Sequence, residues 1–124
     1  MIYLDTHVVA WLYAGDLDRF TPDACALMDA EPLLISPIVQ LELEYLREVD
    51  RLQVDSSLVI ASLRETIGLE ICQLPFARVV VESIRQTWTR DPFDRLIVAQ
   101  AQARDARLLS KDRTILDHYS NGVW

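Results

Sequence analysis

The chain has no run approaching the roughly 18–20 continuous apolar residues of a membrane span. Its first residues carry neither the basic segment nor the small-residue cleavage site of a signal peptide. A cytoplasmic protein with no membrane partner is therefore expected. Cysteine is scarce: Cys25 and Cys72 lie far apart, without CxxC spacing. That argues against a redox pair or a zinc site and leaves both as small apolar residues. No repeat, low-complexity tract or long linker interrupts the sequence, so residues 1–124 are read as one domain. Basic side chains are also short, 12 against 19 acidic for a net charge of −7, whereas a nucleic-acid protein usually carries a basic patch. The shortage is uneven. Residues 76–113 hold eight basic side chains (Arg78, Arg85, Arg90, Arg95, Arg104, Arg107, Lys111, Arg113) against five acidic ones (Glu82, Asp91, Asp94, Asp105, Asp112), a local balance of +3. A polyanionic substrate is thus admissible, although a solvated basic face explains those residues as well.

The 51% of hydrophobic residues suffice for one sizeable core. Met1–Leu4 reads as a buried strand, Thr6–Ala14 as a helix and Pro22–Ala30 as a second helix capped by Thr21. Leu33–Ile35 reads as a strand, and Pro37–Val49 as a helix capped by Ser36 with proline in the tolerant first-turn position. A helix over Asp55–Ile67, stopped by Gly68, precedes a strand over Leu69–Leu74. Helices over Pro75–Trp88 and Pro92–Asp105, the latter capped by Asp91, lead to the last clear strand, Arg107–Ser110. A helical turn from Arg113 follows. Strands alternating with helices predict an α/β fold with a mostly parallel sheet and helices on both faces.

Four acids, Asp5, Glu42, Asp94 and Asp112, fall where such a sheet opens its ligand crevice, outside the carboxyl ends of the strands. Carboxylates gathered there repel one another unless cations sit between them, which points to a divalent-metal site. Each also has a plainer explanation. Glu42 has Ile38, Tyr45, Leu46 and Val49 as helical neighbours and so is placed on the inward stripe, where a buried salt bridge would serve equally. Glu44, among Gln40, Arg47 and Glu48, is placed on the solvated face. Asp94, beside Ile97, Val98 and Ala101, faces inward, but an acid in a first turn also suits the helix dipole. Asp91 reads as a cap, and Asp112 is equally suited to capping the next turn. His7 and His118 are read as surface or satisfied histidines.

The segments Tyr3-Leu4-Asp5-Thr6-His7, Ile35-Ser36-Pro37-Ile38-Val39-Gln40-Leu41-Glu42, Arg90-Asp91-Pro92-Phe93-Asp94-Arg95-Leu96-Ile97-Val98-Ala99-Gln100-Ala101 and Leu108-Leu109-Ser110-Lys111-Asp112, in this order, resemble a PIN-domain protein. They look most like the VapC-type ribonuclease toxins of prokaryotic toxin–antitoxin pairs. By that resemblance Asp5, Glu42, Asp94 and Asp112 match an acidic quartet that is catalytic and holds Mg²⁺ or Mn²⁺. Thr6 and Ser110 match small hydroxyl positions beside it, with Asp91 either a cap or an outer-shell ligand. Many relatives have a histidine shortly before the Asp-Pro-Phe-Asp stretch, whereas Thr87-Trp88-Thr89-Arg90 stands here. The resemblance implies endonucleolytic cleavage of RNA, a homodimer, and a small antitoxin partner whose tail occupies the active-site groove. Arg90, Arg95, Lys111 and Arg113 flank the acids and are candidate phosphate contacts, of the kind that position a backbone without reading its sequence. The doubly apolar helix Thr6–Ala14 needs a second cover, from its own chain or another. The alternatives are a catalytically inactive interaction domain and a phosphoacceptor signalling module. The latter fits poorly, because Asp5 has no paired acid beside it.

Overall fold

A computed structural model describes residues 1–124. Five short strands, β1 (Ile2–Leu4), β2 (Leu33–Ile35), β3 (Glu70–Ile71), β4 (Arg107–Leu109) and β5 (Gly122–Val123), form one all-parallel sheet in the order β3-β2-β1-β4-β5. All three residues of β1 are buried. Successive side chains leave a strand on opposite faces, so such a run requires cover on both sides of the sheet. That cover comes from seven helices: α1 (Thr6–Ala14), α2 (Pro22–Ala30), α3 (Pro37–Glu48), α4 (Ser56–Ile67), α5 (Phe76–Ser83), α6 (Pro92–Gln102) and α7 (Arg113–His118). Ile2, Leu4, Ile35, Leu108 and Leu109 from the sheet join Val8, Val39, Leu43 and Val98 from the helices in a single core.

Local chemistry sets most of the boundaries. Asp5, Thr21, Ser36, Asp55, Asp91 and Asp112 each supply a side-chain oxygen to first-turn N–H groups, satisfying donors that have no partner within the helix. Pro22, Pro37 and Pro92 occupy first-turn positions. Gly15 and Gly68 close α1 and α4 with φ of 70° and 72°, a left-handed geometry that glycine adopts without strain.

Three expectations are corrected. A fifth strand, Gly122–Val123, pairs with Leu108 and Leu109 beyond the one read as last; two residues are too few for alternation to register. The helix expected over Pro75–Trp88 ends at Ser83, whose hydroxyl donates to the Val80 carbonyl at 2.7 Å and competes with continuation of the helix. The strand expected over Leu69–Leu74 is only Glu70–Ile71. The second cover for α1 comes from its own chain: α1 packs on α3 and α4, and Trp11 meets Phe20 and Trp124 edge-on.

The connections place the functional end. The chain winds from β1 through β2 to β3 at one edge, then crosses back to β4 and β5 on the other side of β1. The winding direction therefore reverses between β1 and β4, and the carboxyl ends of those strands border the natural crevice of the fold.

Candidate active site

Asp5 leaves β1 directly at this switch point and is 4% exposed. Its backbone N–H donates to the Leu109 carbonyl of β4 at 3.1 Å, tying the two strand ends together. Its Oδ1 accepts the Thr6 N–H at 2.8 Å and its Oδ2 accepts the Ser110 hydroxyl at 2.6 Å. A buried carboxyl group needs such partners in place of the water it has lost. The Ser110 oxygen in turn accepts the Asp112 N–H at 3.0 Å, so one hydroxyl fixes both acids. His7 adds another link: its Nε2 accepts the Lys111 N–H at 3.1 Å, which puts the ring proton on Nδ1, 3.5 Å from Asp5 Oδ2.

Asp5, Thr6, His7, Glu42, Leu46, Asp91, Asp94 and Asp112 line a cleft of about 290 Å³. Its walls thus carry five carboxyl groups and one apolar side chain. The electrostatic consequence is large. Burial first, then the charges of Asp91, Asp5, Asp112 and Glu42, push the Asp94 carboxyl up to about 7 from an ordinary 3.8. Glu42 is raised by burial and then by Asp5 and Asp91, against the opposing pull of the Thr6 hydroxyl. That hydroxyl lies towards Glu42, is buried, and makes no hydrogen bond of good geometry.

The acids share a cleft without closing into a cage. No three His, Cys, Asp or Glu side chains stand close enough to hold an ion between them as oriented. The donor set nevertheless suits a hard cation: oxygen ligands only, mutually repelling charges that an ion would neutralise, and an unsatisfied hydroxyl at the wall.

A family model described as "PIN domain" matches residues 2–121. The chain belongs to the PIN-domain family. It is similar to Ribonuclease VapC22 of Mycobacterium tuberculosis (strain ATCC 25618 / H37Rv), with 28% identity over 123 residues, covering 94% of this chain and 91% of that protein. Two solved structures share its fold. One belongs to a toxin–antitoxin complex from Klebsiella pneumoniae, with TM-score 0.62, 18% identity, and 100% of this chain and 97% of that chain covered. The other belongs to VapBC2 from Rickettsia felis bound to a DNA fragment from its promoter, with TM-score 0.66, 20% identity, and 99% and 96% covered.

In this PIN domain the four acids singled out from sequence all reach one cleft, and Asp91 joins them while capping α6 through bonds from the Phe93 and Asp94 N–H groups at 2.8 and 3.4 Å. Asp112 likewise caps α7, accepting from Thr114 and Ile115. Contrary to the expectation from its helical neighbours, Glu42 does not lie on the core face of α3. The core face of α3 runs through Val39 and Leu43, while Tyr45 and Val49 are 47% and 63% exposed. Glu42 flanks that face and turns into the cleft. Glu44 is not a free surface residue either, since it accepts the Ser56 N–H of α4 at 2.6 Å and binds Arg47 at 2.8 Å. None of Arg90, Arg95, Lys111 and Arg113 lines the cleft. Arg90 and Arg95 donate to the backbone carbonyls of Thr87 and Thr89. His7 was the cleft residue that sequence reasoning missed. Its only signal was its position two residues beyond Asp5, at the start of α1.

Proposed function

We propose that this PIN domain is a divalent-metal-dependent endoribonuclease, the cytoplasmic toxin of a toxin–antitoxin pair. Asp5, Glu42, Asp94 and Asp112 are its catalytic, metal-holding carboxylates, and Thr6, Ser110 and Asp91 support them. The observation that carries this reading is the convergence of five carboxyl groups on one cleft at the switch point of the sheet. The similarity to a protein named as a ribonuclease, and to chains from toxin–antitoxin complexes, supports it.

Asp5, Glu42, Asp94 and Asp112 would hold Mg²⁺ or Mn²⁺, which when bound would supply the Lewis acidity that polarises a phosphodiester and lowers the pKa of water. The chain's own groups supply the geometry. Asp5 is immobilised by the Thr6 N–H and the Ser110 hydroxyl, and Asp112 by its own cap and by Ser110. Carboxylates fixed in this way would hold a cation with little reorganisation, and it is the cation that would offset charge developing on the scissile phosphate. No side-chain nucleophile is required. Arg90, Arg95, Lys111 and Arg113 lie outside the cleft, where they would meet flanking phosphates. A cognate antitoxin and a second copy of the chain are the expected protein partners. The apolar outer surface of α5 and the Ile84 that follows it, with Phe76, Val81 and Ile84 at 65%, 56% and 65% exposure, favours the second copy.

Strand order weighs against a phosphoacceptor receiver, whose five strands run 2-1-3-4-5 rather than 3-2-1-4-5 as here. A nuclease assay on structured and unstructured RNA with Mg²⁺, Mn²⁺ or EDTA separates the remaining readings. Cleavage is expected with either ion, and none in EDTA or from Asp94→Asn. Cleavage that persists in EDTA overturns the metal dependence, and no cleavage by the wild type favours an inactive interaction module.

A further inference from the structure

Beside the acidic cleft lies an aromatic cluster that the chemistry above does not use. His7 borders the cleft and stands against Trp11, with ring centroids 4.8 Å apart. Trp11 meets Trp124 edge-on at 5.9 Å. The Lys111 ammonium hangs over both indoles, 5.9 Å from the Trp11 centroid and 5.7 Å from that of Trp124. These distances are within the range of cation–π attraction. Lys111 is the only lysine in the chain and takes part in no ion pair. Arg19 also lies over Trp11, but Asp16 already holds it. His7, Trp11 and Trp124 are each half-buried, so the cluster closes the core from one side and meets solvent on the other.

We propose that Lys111, Trp124 and His7, backed by Trp11, form a subsite for a nucleotide flanking the cleaved bond in single-stranded RNA. Lys111 contacts its phosphate, and its base stacks on the exposed aromatic surface. The inference rests on the ribonuclease reading and adds to it the side chains that hold a nucleotide beside the cleft. A stacking ring with a cation that no carboxylate neutralises is the combination that holds single strands, because every base has a π-face and every nucleotide a charge. Paired bases are stacked on one another and cannot reach the rings. An RNA backbone approaching five carboxyl groups also needs a nearby cation to offset them, and Lys111 adjoins Asp112 in the chain.

The test compares Lys111→Gln, Lys111→Arg, Trp124→Ala and Trp124→Phe on a single-stranded RNA and on a duplex of the same sequence. Lys111→Gln should raise KM for the single strand several-fold with kcat within about twofold, because binding lost equally from ground and transition states leaves kcat alone. It should also reduce the log–log salt slope by about 0.7, and Lys111→Arg should restore most of the loss. Trp124→Ala should raise KM about thirtyfold, the mid-range for one stacked base, while Trp124→Phe keeps most of the affinity. Should Trp124→Ala fail to fold, the exposed Lys111 variants still decide. A second readout needs no turnover: in Asp94→Asn with Mg²⁺, single-stranded RNA should slow acetylation of Lys111. It should leave the Met1 amine unaffected, because that amine is bound to Glu31 at the far end of β1. If the wild type cleaves RNA but KM and Lys111 acetylation do not respond, the subsite is wrong and the nuclease reading stands. Equal losses on duplex and single strand overturn the single-strand preference. A wild type that neither binds nor cleaves RNA overturns both readings.

Discussion

Replacing Asp94 by asparagine should stabilise the metal-free protein at alkaline pH and make no difference near pH 4. The carboxyl of Asp94 titrates at about 7 in the folded chain against an ordinary 3.8, through burial and four neighbouring acids. Below pH 4 it is protonated in both states and carries no penalty. Between pH 4 and 7 the folded state holds a proton that the unfolded chain has released, so folding stability falls as pH rises, and above 7 the loss is complete. At about 1.4 kcal/mol per unit the ceiling is about 4 kcal/mol. The carboxyl is only half-buried on an open cleft, and screening by water and salt reduces this to roughly 1–2 kcal/mol. Asparagine keeps the volume and removes the charge, but it forfeits the favourable interaction of a first-turn acid with the helix dipole, about 0.3–1 kcal/mol. The expected net gain in EDTA at pH 8 is about 1 kcal/mol, or a rise of roughly 3–5 °C in Tm for a domain of this size.

Denaturant titrations and thermal melts of both proteins in EDTA between pH 4 and 8 measure this gap directly. It should open steadily with pH, and saturating Mg²⁺ at pH 8 should narrow or reverse it, since only the wild type retains the full ligand set. A mutant less stable than wild type at pH 8 in EDTA would show that Asp94 serves α6 as a dipole partner and that the like-charge cluster is weak. A gap independent of pH would refute the titration argument itself.

Asp5→Asn should abolish divalent-dependent cleavage while preserving the far-ultraviolet circular dichroism, a result checked by the RNA assay and a spectrum on one preparation. Glu42→Gln should likewise remove activity, whereas Glu44→Gln should leave kcat/KM near wild type and instead lower the Tm, because Glu44 holds the first N–H of α4. The Glu44 carboxyl is held at about 2 by that bond and by Arg47. Its stabilising contribution should be complete above pH 4.5 and lost as the pH falls towards 2, so the wild-type and Glu44→Gln unfolding curves should converge in acid. Ser110→Ala removes the donor to Asp5 and the acceptor of the Asp112 N–H from a fully buried position. It should cost about 1–3 kcal/mol in chemical denaturation, the usual penalty for leaving a buried partner unsatisfied, and depress kcat more than it raises KM.

What could be read from the sequence, and what could not, follows the range of each signal. Caps, first-turn prolines and the buried run of β1 are written into adjacent residues, and the helix starts at Pro22, Pro37 and Pro92 were legible for that reason. The face of α3 was not. Counting apolar neighbours of Glu42 treated Tyr45 and Val49 as core, yet Val49 is exposed and Tyr45 turns outward against Phe93 at 5.3 Å. A helix with an apolar outer surface gives the same periodicity as one with a wide core face, and only the fold tells them apart. Lys111 was legible as a cation near the acids, but its setting depends on Trp11 and Trp124 from opposite ends of the chain, which no local pattern connects.

Capping and catalysis seemed rival explanations for Asp91 and Asp112, and the geometry removes the rivalry. In each case Oδ1 takes the first-turn N–H groups of its helix, and Oδ2 has no hydrogen-bond partner within the chain. Asp5 divides its oxygens too, Oδ1 to the Thr6 N–H and Oδ2 to Ser110 at the strand β4 side. The helix starts at the carboxyl edge of a parallel sheet demand acceptors for fold reasons alone. A carboxylate that meets this demand with one oxygen leaves the other to face the crevice. An amide or hydroxyl cap would satisfy the helix equally well without adding charge. Aspartate also caps α4 outside the cleft, at Asp55, so residue type alone does not separate the two roles; what helix capping leaves unexplained is that the three caps Asp5, Asp91 and Asp112 stand on one cleft with Glu42 and Asp94, which cap no helix, and there the chemistry of the cleft is needed.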